Sequence, residues 1–464
     1  MSRKKALGAV ASAAIASLTL AACSGGDGDG GGGDGGTLTI VANAIAGGKN
    51  EAEATWINEW VIPQFEQAMA DEGQDVTVTF EAQGVDDEDY KTKIALDLQS
   101  GGGADIIGID GIWVGEFAEA GYIAPLADVG GDAVTDWDGW EQIPDAVQNG
   151  LSFEDQLYGV PQGADGRVLY YNKELFAQAG LPEDWHPASW QDILDAGHAL
   201  QSIDGVIPIQ LNAGTAMGEA TTMQGLLPML VGTGAEVYTD GQWIGATDQL
   251  RQVLDLYRTI YVDEQLGDPI LQQEADGRDS SFAQFADGQI GILLEGDYFW
   301  RSVIDPNDGT APMDDRDEVV GYTLIPAETP GSGINGQDFV SMSGGTGRVL
   351  NPNSDNPELA WELLAFMNSE EAFDARAEYG GLNISPRTDV NEELLEGNEM
   401  LTFVSDEVLP ITAYRPGLAA YPEVSVALQE ATAAVVSGTS VDDALASYSQ
   451  AVAGIVGEEN VNNG

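Results

Sequence analysis

The chain has 464 residues, of which 77 are acidic and 17 basic, with one cysteine and two histidines. A surface this negative repels nucleic acid and anionic lipid headgroups, which removes both from the set of partners and leaves solubility or a saline exterior as the reading of the charge. A lone cysteine allows no internal disulfide, and neither His186 nor His198 has a companion at metal-ligand spacing, so no metal, cofactor or catalytic residue is indicated.

The first element is a signal-peptide layout over residues 1–22. Arg3-Lys4-Lys5 is followed by an Ala-rich apolar run from Ala6 to Ala22, too short to read first as a membrane span. Leu20-Ala21-Ala22-Cys23 resembles the lipobox of bacterial lipoproteins at each of its four positions. That resemblance implies lipidation of Cys23, cleavage before it, and a protein held at the outer face of the cell membrane. The alternative is an ordinary secretory signal with an incidental cysteine. Residues 23–36 continue as a Gly/Asp-rich linker without an apolar side chain after Cys23, which has nothing to bury against its ordering entropy.

Residues 38–43 form a short apolar run that reads as a buried strand, and a helix is predicted over 51–71 with Trp56, Trp60 and Phe65 inward. An alternating strand at 76–80 precedes a helix over 89–100, where Tyr90, Ile94 and Leu98 recur at i, i+4, i+8. Gly101-Gly102-Gly103 leads into a buried strand at 104–109. Further on, Ser189 opens a helix to Leu200 through a capping-box pattern, Asn356-Pro357 starts one through Met367, and Ser440 caps a last helix whose Leu445, Tyr448, Val452 and Ile455 share a face. Strands alternating with helices at this spacing predict an α/β fold with mainly parallel sheets, in two lobes.

Four blocks carry a family likeness. They are Gly103-Ala104-Asp105-Ile106-Ile107 with Phe117 to Leu126, then Leu157 to Pro161 with Leu169-Tyr170-Tyr171-Asn172-Lys173, then Pro187-Ala188-Ser189-Trp190, then Phe282 to Ile292 with Glu295 to Trp300. In order and spacing they resemble the extracellular solute-binding proteins for sugars, the maltose- and trehalose-binding relatives that serve ABC importers. The resemblance covers most of residues 37–456. It implies a periplasmic-binding-protein fold with lobe one at 37–163 plus 328–368 and lobe two at 164–327 plus 369–460. It also implies a ligand cleft at the hinge and a monomer that closes on a carbohydrate or polyol and presents it to the permease subunits. On this reading the protein is not an enzyme. A surface sensor or adhesin without transport, or a glycoside hydrolase using Asp110 and Asp165, are the alternatives.

Sugars offer hydroxyls to carboxylates and amides, and C–H faces to aromatic rings. Open α/β sheets bind ligands beyond the carboxyl ends of their strands, which singles out Asn43 and Asp110 by position. Asp110 with Trp113 resembles a sugar-contacting pair of the trehalose-type branch. Asp165 occupies the position of a ligand-contacting acid in the maltose-type relatives, and Arg167 either orients it or forms a salt bridge. Tyr298 aligns with a stacking Trp. Trp300 is two residues on, so one of the two is expected at the cleft, namely Tyr298, and the other in the core. Asn212 and Glu219 bound an aligned stretch that holds no aromatic residue. Two family features are missing. Thr346 stands where many relatives have a Trp after Gly344-Gly345, and Val424-Ser425 replaces a Trp-Tyr pair, with Arg415 and Tyr421 as compensating candidates from an RP…YPE element. Fewer rings point to a different sugar, or a polyol, rather than maltose.

Overall fold

The computed structural model describes residues 36–464 apart from 49, 86, 308 and 381–383, so Cys23 and the predicted signal and linker lie outside the described residues. Two mixed sheets organise the chain. In the first, Thr77–Ala82, Thr37–Ala42 and Ile106–Asp110 are followed by Thr346–Leu350 and Gly159–Gly163 at the edge. Only Thr346–Leu350 runs against its neighbours. The second sheet has the order Val320–Thr323, Arg167–Asn172, Ile290–Gly296, Ile207–Gln210, and there Arg167–Asn172 is the reversed strand. With helices packed on them, the sheets make the predicted α/β class.

The predicted elements are present with small shifts. The helix expected over 51–71 forms as Glu51–Trp56 and Ile62–Asp71 joined by a wider π turn, Ile57–Val61. The wide turn falls just before Pro63, which lacks an N–H and whose ring crowds a regular α turn. Trp56 and Phe65 are buried, and Trp60 stacks on Phe366. Ser189 and Ser440 cap their helices by accepting from the N–H groups of Asp192 and Asp443. Asn356 does not: its side chain makes no capping bond, and Pro357 alone sets the start of Pro357–Phe366.

The chain passes from the first sheet to the second through three residues, Ala164, Asp165 and Gly166, between strands ending at Gly163 and starting at Arg167. It returns between Phe339–Met342 and Thr346–Leu350, across Ser343, Gly344 and Gly345. A third segment, Thr412–Ala413, pairs in parallel with Ser341 and Met342. The helix Glu370–Tyr379 falls in the stretch assigned above to lobe two, yet it packs against Glu51–Trp56, on the side of the first sheet. The cause is local: Arg376 on this helix lies 5.4 Å from the Trp56 ring and donates to the Gln162 carbonyl at 2.8 Å.

Candidate functional site

The short link places Asp165 where the two sheets meet, and hydrogen bonds hold it there. Its Oδ1 accepts from Ser343 Oγ at 2.9 Å and from the Gly344 N–H at 2.7 Å, both in the returning crossing. Its Oδ2 pairs with Arg167 Nη1 at 2.8 Å. Arg167 is buried and fixed independently by Gln224 Oε1 at 2.9 Å and the Met342 carbonyl at 3.2 Å. Arg167 therefore both pairs with Asp165 and orients it. On the other side, the Asp297 N–H donates to the Gly166 carbonyl at 2.9 Å, and the buried Asp297 carboxylate is held by Arg301 Nε at 2.9 Å.

A cavity of about 350 Å³ opens at this junction, lined by Asp110, Gln162 and Thr346 from the first sheet, Asp165 from the link, Arg301 from beyond the second sheet, and Arg376. A second cavity of about 430 Å³ adjoins it, sharing Asp110, Gln162, Thr346 and Arg376 and adding Asn43, Tyr90, Trp113 and Arg348. Asp110 ends its strand, and its Oδ1 accepts from the Ile112 N–H at 3.1 Å. Burial raises the Asp110 carboxyl above the ordinary carboxylate range. Arg415 and the Ile112 N–H act against that rise, while Asp87 and Asp165 add to it. The backbone closes tightly here: a Cβ on Gly111 would lie 2.4 Å from the Gly150 carbonyl oxygen, so the turn after Asp110 admits only glycine.

The other sequence candidates fall into four groups. Asn43 faces the second cavity with its amide given to the Val85 carbonyl and Asp87 Oδ1, both at 3.0 Å, and Trp113 is buried beside Tyr90 and Phe117, exposing an edge to that cavity. Glu219, Arg415 and Tyr421 form their own cluster: Glu219 Oε1 accepts from Tyr421 Oη at 2.6 Å and Arg415 Nη1 at 3.3 Å, and Oε2 from Ser425 Oγ at 2.6 Å. Asn212 and Trp300 are brought to neither cavity. Asn212 is buried between Gln210 and Glu295, and Trp300 is buried under the Arg316 guanidinium, 4.1 Å from its ring, beside Tyr322. Tyr298 is exposed, with Arg301, which lines the first cavity, 5.6 Å from its ring; Tyr298 itself lines neither cavity.

Sequence reasoning missed Gln162, Arg301, Arg348 and Arg376. Two of them had a signal. Arg301 stands four residues after Asp297, the spacing of a helical ion pair, and Arg348 interrupts the apolar strand Thr346–Leu350, where an arginine needs a partner. Among the described residues no group of histidine, cysteine or carboxylate side chains is arranged to hold a metal ion, and no helix is long and apolar enough to cross a membrane.

Residues 47–372 match the profile described as Bacterial extracellular solute-binding protein. The chain belongs to that family. It is a family of binding proteins rather than enzymes. A putative binding protein of Brucella abortus is 23% identical over 391 residues, covering 82% of this chain and 87% of its own. Among solved structures, the sugar-binding protein MalE from Xanthomonas citri aligns with a TM-score of 0.71 at 18% identity, over 91% of this chain and 98% of its own. The cyclic alpha-maltosyl-1,6-maltose binding protein from Arthrobacter globiformis aligns with a TM-score of 0.69 at 21% identity, over 91% and 99%. These likenesses establish the two-lobed fold.

Two measurements check this description of the site. Asp165→Asn leaves buried Arg167 without its counter-charge and weakens the contact between crossings. It is expected to cost about 2–3 kcal/mol in denaturant unfolding of the ligand-free protein; an unchanged midpoint would show that the link does not depend on this carboxylate. Asp110 has a raised folded-state pKa, so its folded form keeps the proton to higher pH than the unfolded chain. Stability from this group therefore falls as pH climbs from the ordinary carboxylate range through the raised value, then levels. Asp110→Asn should raise Tm at neutral pH and do so less below the ordinary carboxylate range; equal gains at both pH values would contradict the burial account.

Proposed function

We propose that this protein is the lipid-anchored substrate-binding subunit of an ABC importer, taking a sugar or polyol between its lobes and delivering it to a membrane permease. The observation that carries the reading is the meeting of Asp110 and Gln162 from the first sheet, Asp165 from the link and Arg301 from the helical turn that follows the second sheet in one cavity. Carboxylate, amide and guanidinium groups converging there match the donors and acceptors of a polyhydroxylated ligand. The descriptions of the two solved relatives, one a sugar-binding protein and one a binder of cyclic maltosyl-maltose, support the same ligand class. Closure would bring Arg301 and Tyr298 toward Asp110 about the crossings at 164–166 and 343–345. Lobe limits of 37–163 plus 328–368 and 164–327 plus 369–460 belong to this proposal, with the helix Glu370–Tyr379 riding on the first lobe. The anchor rests on the sequence around Cys23.

A thermal-shift screen over monosaccharides, disaccharides, oligosaccharides and polyols tests the ligand class. A true ligand at 100 times its dissociation constant stabilises by about 2.7 kcal/mol; if only peptides or inorganic ions shift the melt, the class is wrong. For the anchor, Cys23→Ser expressed in a bacterial host should move the protein from the membrane fraction to the soluble extracytoplasmic fraction. Retention of the variant on the membrane would sink the lipid assignment.

A further inference from the structure

Among the described residues, every arginine except Arg376 has a carboxylate oxygen within 3.3 Å. Arg376 has no ion pair, in a chain carrying 77 acidic residues. Where carboxylates are this abundant, pairing is the default for a guanidinium, and a bare one calls for a local reason. Arg376 lines both cavities at the junction of the sheets. It commits one N–H to the Gln162 carbonyl at 2.8 Å, out of the five that a guanidinium offers.

A second cation stands behind it. Arg348 is buried, with 1% of its surface exposed, and its Cζ lies 5.5 Å from the same Trp56 ring that Arg376 covers at 5.4 Å. Arg348 Nη2 pairs with Glu53 Oε1 at 2.5 Å, while its Nε and Nη1 have no hydrogen-bond partner. Burial lowers the Arg348 pKa to about 10, and the neighbouring Arg376 charge pushes it the same way. Two guanidiniums thus flank one indole with a single directly paired carboxylate between them. The other acids at this cavity do not fill the gap. Asp87 accepts from Asn43, and Asp110 accepts from the Ile112 N–H while burial raises its carboxyl above the ordinary carboxylate range.

We propose that the ligand is an anionic sugar, whose carboxylate or phosphate group docks on Arg376 at the boundary of the two cavities, with the sugar ring toward Asp110 and Asp165. This deepens the sugar-binding reading and rests on it. The two adjoining cavities, of about 350 and 430 Å³, leave room for more than one sugar ring, so an acidic disaccharide fits the space as well as a monosaccharide. Arginine suits the role because its planar fork matches a carboxylate or phosphate and stays charged, and the charge-assisted bonds are about twice as strong as neutral ones.

The test uses calorimetry on the mature protein with galacturonate and glucuronate, as monosaccharides and disaccharides, against their uncharged methyl esters, with galactose and glucose and their 6-phosphates in parallel. The acid, or the phosphate, should bind about tenfold or more tighter than its uncharged counterpart. Whichever charged series shows this preference identifies the anion. Arg376→Gln should bring the ratio of charged to uncharged affinity close to one, while Arg376→Lys should retain part of it. The methyl ester comparison probes the charge without altering the protein. If uncharged sugars bind as tightly as charged ones, or if the preference survives Arg376→Gln, the anionic-ligand proposal fails and sugar binding stands. If no sugar of either kind binds, both readings fall.

Discussion

The Asp165 carboxylate is where the two halves of the molecule are tied, and the arrangement of the cleft depends on it. One oxygen holds the returning crossing through Ser343 and Gly344, and the other holds Arg167 at the start of the second sheet. Because the outgoing link is only three residues long, these bonds fix the spacing of the sheets within a few ångströms of the cavity. A residue aligned with a ligand contact thus has its oxygens occupied by the chain itself. Any hydroxyl it takes from a ligand is taken on a remaining lone pair, so binding and hinge geometry are coupled through one side chain.

The charge of the molecule is distributed unevenly. Arg167, Arg301, Arg348, Arg376 and Arg415 all stand around the junction, although the whole sequence has only 17 basic residues. The exterior carries the excess of carboxylates, and the cleft is close to balanced. Long-range repulsion from that exterior is damped beyond about 8 Å at physiological ionic strength. Recognition inside the cleft is then governed by the near groups rather than by net charge.

Much of the architecture was legible because it rests on local periodicity. Tyr90, Ile94 and Leu98 bury the face that their spacing defines, and the run ending at Asp110 is a buried strand with its acid at the carboxyl end. Asn43 and Asp110 were legible for the same reason, since position after a strand is a local property, whereas Gln162 and Arg348 within strands of the same lobe were not. Arg376 was not. It lies on a helix whose alignment assigned it elsewhere, and only a long-range contact with Trp56 and Gln162 brings it to the cavity. Asn212 shows the converse: an aligned polar residue became part of a buried amide network because Gln210, two residues earlier, and Glu295, on the adjacent strand, satisfied it first. Asn356 likewise had a capping residue type, but its side chain makes no capping bond.

The place of Thr346–Leu350 in the first sheet has a consequence for the order in which the chain can mature. This strand lies between Ile106–Asp110 and Gly159–Gly163, so the sheet has a gap inside it until residue 350 has been synthesised. An edge strand made early waits for a partner made nearly two hundred residues later, a contact of high sequence separation that forms slowly. A nascent chain is therefore kept from sealing its first half until most of it has been made. Delayed closure leaves the backbone of the first half threadable for as long as that strand is missing.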